Sequence, residues 1–388
     1  MTLDLRLTEL CCASLVVGML SAAKTEASLA QQGSERANTR LPAISVSRTH
    51  VDYGLILNPH LVLFNTDFGG APAGGESVVR LATGPGRGFI VDYTAAARRV
   101  SGSLDFVLHA GLSRLNGERF FGFGNNTTAT GSATFYEAHR SSFVLEPALI
   151  HTTPGGLVSW SFGPVFKYTG SKNINEDRFG PRDGDDEITL IQTEAVYGAG
   201  LFSQLGAQTS LRIGRLDPGA STGLQAKIGA AAYPALLDVT QPFGSVFGEV
   251  RGFLSLSGPN SPILALRAGA QRVMGEAPFF EAAYLGGARS LRSFRSQRFA
   301  GDGAVFGGAE LRVPLGQVSL FHHSTRFGVL GLTDVGRVYY DGESPGGWHT
   351  AVGGGLWIQP SGWSNRLTFE VAQGSDGSRA YLRTGLVF

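Results

Sequence analysis

Alternation with a period of two runs through most of this chain, and it limits the possible folds more than any other feature. Leu104, Phe106, Leu108, Ala110 and Leu112 alternate with Asp105, Val107, His109 and Gly111. Trp160, Phe162, Phe166 and Tyr168 alternate with Ser159, Ser161, Gly163 and Lys167. The same rhythm returns at Leu264–Gln271 and at Arg366–Ala372. Such spacing gives an extended strand one apolar face and one polar or small face. Helical periodicity is hard to find after residue 40, so the expected class is all-β.

A soluble sandwich would alternate in the same way, so the choice rests on the whole chain. Charged residues make up 16%, against about 25% in ordinary soluble domains. In water, the edges of so many strands would need capping. A closed barrel removes the edges and satisfies every backbone group without solvent. The segments are about ten residues long, which suits tilted membrane strands. Tyr168, Tyr339, Tyr340 and Trp357 are expected in the aromatic girdles at the two membrane surfaces. After the N-terminus no run of 18 apolar residues occurs, which argues against a helical membrane protein. The net charge is +1 without a basic tract, so no nucleic-acid partner is expected.

The expected fold is thus a transmembrane antiparallel β-barrel. Strands are predicted near 379–388, 364–374, 347–359, 324–340, 304–316, 261–274, 244–258 and 222–234. Further segments fall near 189–215, 156–170, 140–152, 103–115, 88–98, 75–83 and 57–66. Bacterial barrels have even strand numbers, so sixteen are expected. The polar segment 170–187 should face outside, with 152–156 as a periplasmic turn. Both sides come out right only if 189–215 is one long strand, and then a strand is missing upstream.

Both cysteines, Cys11 and Cys12, lie at the start of a short apolar run ending at Leu20. Ser28-Leu29-Ala30 follows as a cleavage site, so residues 1–30 are expected to be a signal peptide; a short buried helix is the alternative. Cleavage would leave a chain without cysteine, which suits an oxidising periplasm. Residues 31–50 form a polar leader, and 51–388 the barrel.

The stretch 285–315 stands apart. It holds Leu291-Arg292-Ser293-Phe294, and then a strand carrying Glu310 and Arg312 on its polar face and Leu311 and Val313 on the other. The next strand carries Asp334-Val335-Gly336. In these motifs and in Phe120–Asn125 the chain resembles the bacterial surface antigen family, the barrels of the BamA/TamA superfamily of outer-membrane insertases and translocators. The resemblance implies a long sixth extracellular loop folded into the lumen, with Arg292 held between Glu310 and Asp334. A guanidinium fork suits carboxylates. It also implies sideways opening at a weak seam between the first and last strands. Leu382, Thr384, Leu386 and Phe388 alternate with Tyr381, Arg383, Gly385 and Val387, an amphipathic last strand resembling the signal by which such barrels are recognised for assembly.

Two departures from the family pattern stand out. Ser293 replaces the motif glycine, which would strain a glycine-only conformation. The periplasmic POTRA domains of protein-assembling members have no counterpart in residues 31–50, so a barrel-only member is expected. The resemblance implies insertion or movement of protein or lipid at a Gram-negative outer membrane. Outer-membrane lipid, lipopolysaccharide, client barrels and the barrel assembly machinery are the implied partners. A passive pore and a structural surface antigen are the alternatives.

No enzyme activity, cofactor or metal is expected. Gly219-Ala220-Ser221-Thr222-Gly223 fits the nucleophile-elbow pattern but lies in a turn between strands, without the helix that motif requires. Asp183–Glu187 lacks the full spacing of a calcium loop, and His322-His323 lacks further zinc ligands.

Overall fold

The computed structural model describes residues 60–384 except 66–74, 84–87, 102, 116–117, 134, 173–188, 194–195, 217–221, 257–260, 321–322 and 362–365. The strands are β1 (His60–Asn65), β2 (Gly75–Thr83), β3 (Phe89–Ser101), β4 (Leu104–Leu115), β5 (His139–Thr152), β6 (Val158–Lys172), β7 (Gly200–Arg215), β8 (Gly223–Tyr233), β9 (Phe243–Ser255) and β10 (Ile263–Gly275). After a long loop come β13 (Gly303–Leu320), β14 (His323–Tyr339), β15 (His349–Pro360), β16 (Leu367–Gly374) and β17 (Gly377–Thr384). The loop itself carries β11 (Ala283–Leu285) and β12 (Phe299–Gly301).

Fifteen strands form one antiparallel meander in which each pairs with its neighbour, and β10 pairs with β13 across the loop. β11 and β12 make a separate two-stranded ladder. All fifteen predicted segments are strands of the sheet. The expected sixteenth is not among the described residues. Within 189–215 the strand begins only at Gly200, after a single helical turn, α1 (Leu190–Thr193). That segment therefore contributes one strand. The long connections 116–138, 173–199 and 276–302 consequently share one end of the sheet, and 153–157 lies at the other.

The pattern of burial is inside-out for a protein in water. Trp160, Phe162, Leu205, Ile228, Val250, Leu266, Leu311, Leu356 and Phe369 are exposed. Glu146, Lys167, Gln204, Gln208, Arg267, Glu310, Arg312, Asp334 and Glu370 are buried. A soluble fold would bury the first set and expose the second; a barrel in lipid presents an apolar band outward and polar groups to its lumen.

Trp357 corrects the girdle expectation. Its side chain is buried with Leu330, Leu332 and Ala372 on the inner face, and its Nε1 donates to the Val329 carbonyl at 3.1 Å. On β15 the odd positions from Ala351 to Gln359 point inward, and Trp357 shares their parity. Tyr168 and Tyr340 are exposed as expected, although Tyr340 also stacks on Phe123 at 4.5 Å between centroids.

Candidate functional site: a loop locked across the lumen

The loop 276–302 enters through a 3₁₀ turn, Phe279–Glu281, and returns along β12. Gly286 and Gly287 take φ values of +121° and +78°, a region open to glycine at little cost. They fold the tip into tight turns closed by Gly287 N–H to Phe294 O at 3.1 Å and Phe294 N–H to Leu291 O at 3.1 Å. Leu291 and Phe294 are fully buried with Val273, Leu285, Phe299, Ala304 and Val338. Burial of each such side chain contributes about 1.5–3 kcal/mol. Between them the backbone presents Arg292 to the inner wall.

Arg292 is 0% exposed and meets three carboxylates. Its Nε and one terminal nitrogen donate to the two oxygens of Asp334, both at 2.8 Å. The other terminal nitrogen donates to Glu310 at 2.8 Å and reaches Glu370 at 3.5 Å. Its backbone N–H donates to Asp334 at 3.1 Å, and its carbonyl accepts from the Tyr381 hydroxyl at 2.7 Å. Each acid has a second arginine: Arg267 beside Asp334, Arg312 beside Glu310 and Arg383 beside Glu370. Burial alone would lower the pKa of Arg292; the three acids, Asp334 foremost, outweigh it and raise the value.

The expected Arg292–Glu310–Asp334 contact is therefore formed. The motifs do not announce Glu370, Tyr381, Arg267 or Arg383, whereas Arg312 shares the polar face of its strand with Glu310. Glu370 lay on the polar face of an assigned strand, so its inward direction was available; its meeting with Arg292 was not.

Gly336 and Ser293 hold the fit in place. A Cβ at Gly336 would lie 3.0 Å from Leu285 Cδ1 and 3.0 Å from the Val305 carbonyl, so the glycine leaves room for the loop. Ser293 is 0% exposed. Positive φ among the non-glycine residues described is confined to Leu237, Gln297 and Asp341, so the strain expected at Ser293 does not arise. The accommodating glycine is in the wall: a Cβ on Gly374 would come within 2.9 Å of Ser293 Cβ. Of the terminal-strand residues, Leu382 is exposed as expected and Thr384 ends β17; Gly385, Leu386 and Phe388 lie outside the described residues.

A second anchor holds the loop to the opposite side. Glu281 accepts from Lys167 Nζ at 2.7 Å and from Gln204 Nε2 at 2.8 Å. These belong to β6 and β7, eight places along the sheet from β16 and β17. The loop thus braces two walls. Above it, Phe120, Phe121, Tyr136, Leu190, Phe279 and Phe280 pack into one apolar cap drawn from three long connections. Arg298 ties this cap together, donating to Asp376 at 2.6 Å and to the Thr127 hydroxyl at 2.7 Å. The Phe120–Asn125 element belongs to it: Asn125 is buried and exchanges hydrogen bonds with the Val338 backbone at 2.8 and 2.9 Å.

Ser221, the acidic run Asp183–Glu187 and His322 lie outside the described residues. Among the described residues no group of His, Cys, Asp and Glu is arranged to hold a metal ion.

No protein-family model matches the sequence, and no curated protein matches it significantly. Solved structures do match. BamA from Haemophilus ducreyi lacking POTRA domains 1-3 superposes with a TM-score of 0.55 at 13% identity, over 85% of this chain and 70% of that one. CdiB from Escherichia coli gives 0.49 at 12% identity, over 84% and 62%. CdiB from Acinetobacter baumannii gives 0.46 at 13% identity, over 84% and 58%. The fold-level likeness rests on the first of these. With an inside-out antiparallel meander and a loop arginine buried against its C-terminal wall, the chain shares the fold of the BamA barrel.

Proposed function

We propose that this barrel works in a Gram-negative outer membrane, reached by way of a cleaved signal peptide, and helps to insert or move protein or lipid there. The observation that carries the reading is the lock between Arg292 and Asp334, Glu310 and Glu370. It spends several buried charges on fixing one loop to the C-terminal strands. Breaking such a cluster is costly once it is formed, so it favours a defined loop position over a freely moving one. The apolar cap and the two-walled brace tie the loop to distant strands of the sheet, which favours an assembly device over a permanently open pore. Client barrels, lipopolysaccharide and other outer-membrane lipids are the proposed partners, and the barrel assembly machinery its proposed route into the membrane.

The test is reconstitution in liposomes with an unfolded client barrel, followed by heat-modifiable gel mobility. The wild-type barrel should accelerate client folding, and Arg292→Ala should abolish the acceleration. Steady conductance in planar bilayers without any acceleration would instead establish a passive pore.

A further inference from the structure

The inner wall below the locked loop carries a second, separate cluster of cations near the short-turn end. Arg326 on β14 stands opposite Gln359 on β15 in the strand register. Leu367 stands opposite Ile358, so Arg366, one residue earlier, continues the same row beside Gln359. Two strand spacings of about 4.8 Å separate the backbones at the ends of that row. Arg326 donates to the Gln359 side-chain oxygen at 3.1 Å. Arg366 lies over the Trp357 ring, 4.6 Å from its centroid, and its Nε is buried with no hydrogen-bond partner. Arg312, one strand further along the wall, shares its charge with Glu310.

Like charges crowd here. As guanidiniums, Arg312, Arg326 and Arg366 all stay charged at neutral pH. Glu310 is already held by both Arg292 and Arg312, and neither Arg326 nor Arg366 forms an ion pair with a described carboxylate. Arg267, Arg292 and Arg383, by contrast, each touch a carboxylate. Both Arg326 and Arg366 are only half-buried.

We propose that Arg326 and Arg366, seated on Trp357 and backed by Arg312, form a binding site for a phosphate-type oxyanion on the inner wall. A phosphate group carries about −1.5 to −2 at neutral pH, which matches the excess charge. Its several acceptor oxygens suit two forks approaching from different strands. Stacking on the Trp357 face holds one fork in plane while leaving its edge free to donate. The site adjoins the Arg292 lock through Arg312 but lies nearer the short-turn end, and it does not depend on the insertase reading.

The test is calorimetric titration of the full barrel in a non-ionic detergent, with inorganic phosphate and, separately, with dihexanoyl phosphatidic acid. Saturable binding at one site, weakening as salt is raised, is expected. Arg326→Gln with Arg366→Gln should weaken it at least tenfold. Arg366→Lys, which keeps the charge and loses the fork, should weaken it severalfold while the barrel retains its heat-modifiable mobility. Arg212→Gln, a lumen cation on β7, should leave it unchanged. Tighter binding of the phosphatidic acid would assign the site to a lipid headgroup, and equal or tighter binding of phosphate to a soluble anion. No saturable binding of either probe would overturn the proposal. So would an equal loss in Arg212→Gln, which would indicate a diffuse field with no site.

Discussion

Ser293 and Gly374 divide one small volume between loop and wall: the serine side chain occupies the space that a Cβ on Gly374 would take, with only 2.9 Å left between the two carbons. The seat also leaves the Ser293 hydroxyl buried without a hydrogen-bond partner. The family pattern has its glycine in the loop; here the glycine that matters is on β16.

Gly374→Ala should therefore undock the loop tip, at a cost of about 1–3 kcal/mol for overpacking. The same substitution in a Ser293→Gly background should cost less, the clash that remains being with the Thr350 carbonyl at 2.9 Å. Limited proteolysis of loop 276–302, compared across the four variants as a double-mutant cycle, measures the coupling. Equal effects of Gly374→Ala in both backgrounds would show that the two residues do not share that space.

Arg292→Ala should be the most damaging single change in the lock. Removing one partner from a buried ion cluster costs about 3–5 kcal/mol, and here three carboxylates lose a shared cation. Arg292→Lys should rescue only in part, because an ammonium cannot bridge Asp334 and Glu310 as the fork does. Hydrogen exchange at residues 286–298 reads the loss directly.

The brace predicts that either anchor alone keeps the lumen closed. Lys167→Met leaves the half-buried Glu281 with Gln204 but without its Lys167 partner, a loss of about 1–3 kcal/mol. Conductance in planar bilayers should stay low in Lys167→Met, rise modestly in Arg292→Ala and rise most in the double variant. A double variant no leakier than Arg292→Ala would remove the second anchor from the account.

The cap should loosen as pH rises toward neutral. Burial raises the Glu118 carboxyl to about 7, and the contacts with Arg140 offset this only in part. A folded-state pKa above the ordinary value means that the closed cap binds the proton more tightly than the open one. Its contribution is complete below the ordinary carboxyl range near 4.5 and is lost as pH climbs through about 7. Tryptic cleavage at Arg119 should increase between pH 5 and 8, and Glu118→Gln should flatten that profile.

The strands, their faces and the residues bearing the lock were legible because alternation is a local rule. Leu311 is exposed and Glu310 buried for the same reason that their parities differ. Trp357 was misassigned because an aromatic was read by type when its parity already pointed inward.

Alternation alone determined the all-β class, the fifteen segments and the polar faces carrying Glu310 and Glu370, since each depends only on a residue's own strand. Resemblance added Arg292 and the inward direction of Asp334. Only the tertiary structure decided that Glu281 crosses to Lys167, 114 residues away in sequence, that Tyr381 closes on the Arg292 carbonyl, and that Gly374 receives Ser293. These contacts depend on how far the sheet curves and how deep the loop descends, and no period in the sequence encodes the distance across a lumen.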